Sequence, residues 1–193
     1  MLDHLDGQLL VFEDCEDAPT IYASVRDRLA STIYAEVRSL DDASVNRLRG
    51  AMPIPPERYV EEMLAFQKWT EVARQNRRDP FVVRARVMTE LYVAFVWLRD
   101  SVRVPVREAV GEGTTTWTVC HFLESGPRRL LRNAIAHGRW TYLADFSGIE
   151  YWAEPSRGKP LQRYEIKQDE FGPLQTVSRG ASIAMLLALT DQI

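Results

Sequence analysis

The chain has 193 residues, 46% of them hydrophobic and 26% charged; that suffices to bury one core without staples and is cramped for a second domain. The formal net charge of −3 excludes a bulk positive field that would draw in nucleic acid, so any such contact must rest on a local basic cluster. Two cysteines, Cys15 and Cys120, exclude a disulfide framework and read as small packed hydrophobes in a reducing compartment.

The first residues, Met1-Leu2-Asp3-His4-Leu5-Asp6, are acidic where an export signal is basic. The longest apolar runs, Leu91–Leu98 and Ala181–Leu189, fall short of the ~20 residues of a membrane span. A cytoplasmic protein without a membrane partner is expected. Lys68, Lys159 and Lys167 are the lysines; every other basic residue is an arginine, the side chain suited to bidentate phosphate contacts.

Pro19 suits a first helical turn. After it Tyr22, Val25, Leu29, Ile33, Val37 and Leu40 recur at spacings of three and four, with Arg26, Asp27, Glu36 and Arg38 off the stripe. Ala51-Met52-Pro53-Ile54-Pro55-Pro56 is a breaker. A second helix is expected from about Glu57 to Arg77, with Val60, Met63, Leu64 and Val72 inward. Asp79-Pro80 opens a third by the same N-terminal logic. Phe81, Val83, Val87, Met88, Leu91, Phe95 and Leu98 cover more than one of its faces, which makes it the central helix. Pro105, Gly111 and Gly113 are expected to end it. Thr114-Thr115-Thr116-Trp117 leads into a helix towards Leu123, and Gly126-Pro127 starts the next.

The character changes after His137. Arg139 to Phe146 and Ile149 to Ala153 are aromatic and β-branched runs joined by Ser147-Gly148, which predicts a β-hairpin with a two-residue turn. Pro155 to Pro160 reads as a loop and Tyr164-Glu165-Ile166 as a candidate third strand. Asp169 then caps a last helix with Phe171, Leu174, Val177, Ala181, Met185 and Ala188 on one side. The expected fold is all-α: one domain over residues 1–193, a bundle of about five or six helices with a small β-hairpin inserted at about 139–153 before the C-terminal helix.

One constellation carries chemistry. In Arg132-Asn133-Ala134-Ile135-Ala136-His137, Asn133 and His137 share a helical face, while Arg132 lies about 140° round from His137 and is long enough to swing towards it. His137 precedes Gly138, the usual residue type just past a helix end, where the dipole favours a protonated imidazole. A histidine near neutrality moves protons, and an arginine beside it holds developing charge on a phosphate. These are the parts for RNA cleavage by the 2′-hydroxyl without a metal.

The stretch Leu131-Arg132-Asn133-Ala134-Ile135-Ala136-His137-Gly138 resembles the motif of the HEPN family (higher eukaryotes and prokaryotes nucleotide-binding): Arg, a polar residue, three variable residues and His on a late helix of a small bundle. The resemblance implies a helical homodimer whose two motifs face each other in a composite cleft. It implies a metal-independent endoribonuclease acting on RNA, often a toxin or defence protein, in some cases with an antitoxin partner. His137 would be general acid or base, Arg132 would stabilise the phosphate and Asn133 would orient the pair. Members paired with a nucleotidyltransferase antitoxin often carry a tyrosine two residues after the histidine. Here that position is Arg139, followed by Trp140, so a tyrosine-modification switch is not expected. The alternative is a non-catalytic HEPN-like dimer that binds RNA or protein, with the same groups serving as an interface network.

Arg128, Arg129 and Arg139 are the candidate RNA-binding residues. Cations in a first helical turn oppose the dipole, so either a phosphate-facing patch or pairing with a carboxylate such as Glu124 accounts for them. His121 could face the same cleft. Glu90, in the most apolar helix, needs a partner; Arg86 is the near one, and orienting Arg132 is the other role open to it. Trp117, Trp140 and Trp152 either stack bases or pack. No Cys/His metal spacing, Gly-rich phosphate loop or Gly-x-Ser-x-Gly elbow occurs, and neither metal nor cofactor is expected.

Overall fold

The computed structural model describes residues 18–75, 80–145 and 147–191. The readings placed on Met1–Asp6, Cys15, Arg77, Asp79 and Phe146 lie outside these, as do the side chains of Tyr22, Val25, Arg26, Val83 and Phe171. The described residues form seven helices and one small antiparallel sheet. In chain order these are α1 (Ala18–Arg38), α2 (Asp42–Ala51), α3 (Pro56–Gln75) and then α4, a single rod. It runs through Pro80–Tyr92, two π-helical turns at Val93–Trp97 and Arg99–Arg103, and Val104–Val110. After it come α5 (Thr115–Glu124), α6 (Gly126–Ala136), β1 (Trp140–Tyr142), β2 (Gly148–Ala153), β3 (Gln162–Lys167) and α7 (Gln168–Thr190). Among the described residues no helix is long and apolar enough to cross a membrane.

Mainly helical architecture with strands before the last helix agrees with expectation; several details differ. Helix α2 precedes the proline-rich break and has only Ser44, Val45 and Leu48 buried, too short a stripe to declare a period. It is fixed instead by Asp41, whose carboxylate accepts the Ser44 N–H at 2.6 Å. On α3 the inward face is Tyr59, Met63, Thr70 and Ala73. Leu64 and Val72 point out, 56% and 58% exposed, as do Phe81 and Met88 on α4. A small alanine and a threonine bonded to the Gln67 carbonyl take core positions that the hydrophobic stripe assigned to larger residues.

Pro105 does not end α4. The rod continues to Val110 and stops at Gly111, whose φ of 76° favours glycine. At the π turns Leu98 N–H reaches Val93 O and Val104 N–H reaches Arg99 O, five residues back. The α-helical ladder restarts at Val104, so Pro105 sits in a new first turn, where a missing N–H costs little.

Two buried clusters flank α4. Val87, Leu91 and Phe95 pack with Leu131 and Ile135 of α6 and with Ile149 and Tyr151 of β2. Leu98, Val102 and Val106 pack with Ile33 and Val37 of α1, Leu123 of α5 and Met185, Leu186 and Leu189 of α7. Arg103, 1% exposed, lies where the two meet. Its Nη1 donates to Ala94 O at 2.9 Å and to Ser178 Oγ of α7 at 2.6 Å. Ser178 Oγ donates in turn to Ala94 O at 2.5 Å. Burial pushes the Arg103 guanidinium down to about 10, which still leaves it charged at neutral pH.

The strands form one sheet in the order β1-β2-β3, all antiparallel. A three-stranded sheet thus replaces the expected hairpin, and it extends to Lys167. Ser147-Gly148 is not its turn, because Gly148 lies within β2 opposite Lys167. A Cβ there would overlap the Ile166 carbonyl oxygen, so the glycine serves close strand approach. Tyr151 and Tyr164 stack across β2 and β3 with ring centroids 5.3 Å apart. The last helix is capped from Lys167, whose N–H donates to Glu170 Oε2 at 2.7 Å, rather than by Asp169.

A carboxylate of α1 caps α5. Glu36 accepts Thr115 N–H at 2.8 Å, Thr116 N–H at 2.7 Å and Thr116 Oγ1 at 2.6 Å. Burial pushes its carboxyl up, but the bonds from Thr116 and Thr115 outweigh this and hold it below its ordinary 4.5.

Two stability predictions follow from these contacts. Arg103→Ala, which strips the partners of a buried charge network, is expected to cost about 3–5 kcal/mol in urea unfolding, and Arg103→Met, which keeps the volume, distinctly less. Glu36→Gln is expected to cost about 1–2 kcal/mol at pH 7, discounted for partial exposure. Since the folded-state carboxyl titrates below the unfolded one, this contribution is complete above pH 4.5 and is lost as pH falls through the lowered value. Wild type and Glu36→Gln should therefore converge in acid.

Candidate functional site

Helix α6 is short and sharply two-sided. Leu130, Leu131, Ala134 and Ile135 are buried, while Arg128, Arg129, Arg132 and Asn133 sit at the boundary and His137 is exposed. The helix enters from the extended Ser125 with Pro127 in its first turn. It ends in a Schellman arrangement: Arg139 N–H donates to Ala134 O at 2.8 Å and Gly138 N–H to Ile135 O at 3.2 Å, with Gly138 at φ 64°. The reversal leaves His137 on the rim and starts β1 two residues on. Strand β2 then returns alongside, and Trp152 N–H donates to Arg139 O at 2.9 Å.

The result is an open groove of about 300 Å³ between the end of α6 and the end of β2. Its lining includes Arg129, Asn133, His137, Arg139, Trp152 and Arg157, with Glu154 as its carboxylate. Three guanidinium groups around one imidazole and one carboxylate make this a place for an anion. The segment after β2 already engages two of the arginines. Arg129 Nη2 donates to Pro155 O at 3.1 Å, and Arg139 Nη1 lies 3.9 Å from Glu154 Oε1.

The expected site residues therefore divide. Asn133, His137, Arg129 and Arg139 come together. Arg128 does not join them: its Nε donates to Phe122 O at 2.5 Å and its guanidinium lies 3.6 Å over the Phe122 ring, so it holds α6 to the end of α5. Arg132 is also outside the lining. Burial is the main cause that lowers its guanidinium, followed by the charge of Arg99 and opposed by Asp100 and Glu124. Among the described residues its Nε is buried without a hydrogen bond. Asp100 and Glu124 are the carboxylates whose charge opposes that lowering. Glu124 in turn pairs with Arg107 at 2.5 Å and Arg99 at 4.0 Å, and not with Arg128 or Arg129.

His121 is exposed and stacks on Trp117, ring centroids 4.8 Å apart and nearly parallel, away from the groove lining. Trp140 packs edge-on to Tyr142 against the α4–α6–β2 cluster. Cys120 is buried, and burial pushes its thiol up to about 12, which leaves it an inert packed group. Arg157 and Glu154 were not anticipated. Their signal is positional: a glutamate just past the end of a strand and an arginine inside the Pro/Gly loop that follows it. Among the described residues no three His, Cys, Asp or Glu side chains gather closely enough to share a metal ion. Comparison with known proteins finds no matching family model, curated protein or solved structure.

Glu154 competes with any incoming anion for Arg139. Glu154→Gln is expected to tighten binding of heparin, a sequence-free polyanion, about three- to tenfold at low ionic strength, the gain shrinking as salt rises. Unchanged affinity by titration calorimetry would show that the carboxylate does not shield the groove.

Proposed function

We propose that this chain is a HEPN-type endoribonuclease whose phosphate-binding centre is the groove beside His137. One observation carries the reading: Asn133 and His137 line the same open groove as Arg129, Arg139 and Arg157. In that setting an RNA phosphate lies on the arginines and the adjoining 2′-hydroxyl attacks it. The 2′-O–P bond forms, the P–O5′ bond breaks, and a 2′,3′-cyclic phosphate and a 5′-hydroxyl result. His137 takes the 2′-hydroxyl proton or supplies one to the leaving 5′-oxygen. Asn133, one turn below, donates to the phosphate or fixes the imidazole. The arginines hold the charge of the pentacovalent state. Metal independence and a homodimer with facing motifs come from the resemblance of Leu131–Gly138 to the family, as does an antitoxin partner.

A specific observation favours the second reading, a HEPN-like module that binds RNA without cutting it. Arg132, the arginine of the motif, is not among the groove's lining residues, and its Nε is buried without a hydrogen bond among the described residues. In a cleaving enzyme it must swing round the helix or serve the groove of a partner copy; in a binding module it stays where it is.

The two readings separate in one assay. Wild type, Arg132→Ala and His137→Ala are incubated with RNA in EDTA and the ends analysed. Cleavage to 2′,3′-cyclic phosphate ends is expected for wild type, with a loss of at least about a hundredfold in His137→Ala. Equal cleavage by His137→Ala and wild type defeats the assignment of His137. RNA binding by all three with no cleavage by any selects the binding module.

A further inference from the structure

From its place in the groove lining we infer that Trp152 is a base-stacking platform and that the groove takes an unpaired nucleotide of a single-stranded nucleic acid. The inference rests on the phosphate-binding reading of the groove and adds what lies beside the phosphate.

The chain has five tryptophans, and four have ring partners. Trp97 packs on Tyr59, Trp69 stacks on Phe66, Trp117 on His121, and Trp140 meets Tyr142 edge-on. Among the described residues Trp152 has neither a ring nor a cation over its face. Its place in the sheet explains this. Along β2, Ile149, Tyr151 and Ala153 are buried against α4 and α6, so Glu150 and Trp152 take the opposite face. Its cross-strand neighbour Arg163 is held by Glu150 at 2.5 Å and Glu165 at 3.4 Å. The indole is partly buried and reaches solvent where it lines the groove.

That plane is bordered by cations. Arg139 is bonded to the Trp152 backbone, and Arg129 and Arg157 share the groove with it. Guanidinium groups beside a free aromatic face are what single-stranded nucleic acid uses: phosphates on the arginines, a base on the ring. A duplex offers phosphates but no free base face, and a groove of about 300 Å³ admits one splayed nucleotide. An acidic peptide would satisfy the arginines and leave the indole unused, so the ring favours a nucleobase.

The test uses the full chain and a labelled short oligodeoxyadenylate read by anisotropy. The strand lacks the 2′-hydroxyl, so binding is measured whether or not the protein cleaves RNA. Wild type is expected to bind it about tenfold tighter than the same strand carrying abasic sites, and tighter than the strand annealed to oligothymidylate. Trp152→Ala should lose that preference, whereas Trp152→Phe, which keeps a ring, should retain most of it. Intrinsic tryptophan fluorescence should be quenched by the strand in wild type and not in Trp152→Phe. Equal affinity for native and abasic strands, or Trp152→Ala binding like wild type, overturns the inference. So does a groove that binds polyglutamate in preference to the strand. A strand that binds through Trp152 alongside RNA that is never cut leaves the platform standing and removes catalysis alone.

Discussion

The described fold turns on the bonds of one buried arginine. Arg103 sits at the end of the second π turn of the longest rod and donates across to α7, and both it and Ser178 converge on the carbonyl of Ala94. A carbonyl inside an α-helix is normally spent on the N–H four residues on. Here the π turns carry N–H groups five residues back, to Val93 and Arg99. Ala94 O, between them, takes side-chain donors from two elements. Removing the arginine would leave buried oxygens short of partners between two hydrophobic clusters, at a cost larger than its own bonds are worth.

The same π turns let α4 serve both clusters. Its larger buried apolar residues include Val87, Leu91, Phe95, Leu98, Val102 and Val106, mostly four apart, with Ala94, Val96, Ser101 and Arg103 buried beside them. In a strict α-helix a repeat of four drifts about 40° per step, which over this length would turn the stripe away from its partners. The wider turns take up the drift midway. The first half thus faces α6 and the sheet, and the second half faces α1, α5 and α7. Arg99, Arg103 and Arg107 follow the same spacing of four, and this is why Glu124 of α5 meets Arg99 and Arg107 together.

Local signals in the sequence foretold what they physically could. Thr114 caps α5 through Trp117 N–H, Pro127 opens α6, Gly138 ends it, and the aromatic runs after it are strands. Each depends on neighbours within a turn. What depended on distant neighbours was not legible. Pro105 reads as a stop until the π turn before it supplies a new helix start. Leu64 and Val72 read as core until Thr70 and Ala73 are found in those positions, and Phe81 and Met88 until Val87 and Leu91 are found facing in. Arg128 and Arg129, adjacent and identical in type, have opposite fates, one over Phe122 and one in the groove. Only the tertiary path of the strands decides between them. Of the motif, the Asn–His pair at one helical face was readable from spacing, while the burial that keeps Arg132 out of the groove lining depended on packing between elements.

The groove also resolves a tension set by the charge. A net charge of −3 opposes a polyanion at long range, but screening confines that repulsion to roughly 8 Å at physiological salt, so what counts is the charge within reach of the ligand. Inside the groove three arginines face one glutamate, and the local balance is positive. Two of those arginines are engaged by the segment that follows β2, through Pro155 O and Glu154. On the proposed reading a phosphate would enter by exchange, giving Arg139 a doubly accepting partner in place of a carboxylate 3.9 Å away. The net electrostatic gain is modest for that reason, and it is the same for any polyanion. On that reading discrimination would come from a contact that the exchange does not involve, and the Trp152 ring in the groove lining is the group proposed to supply it.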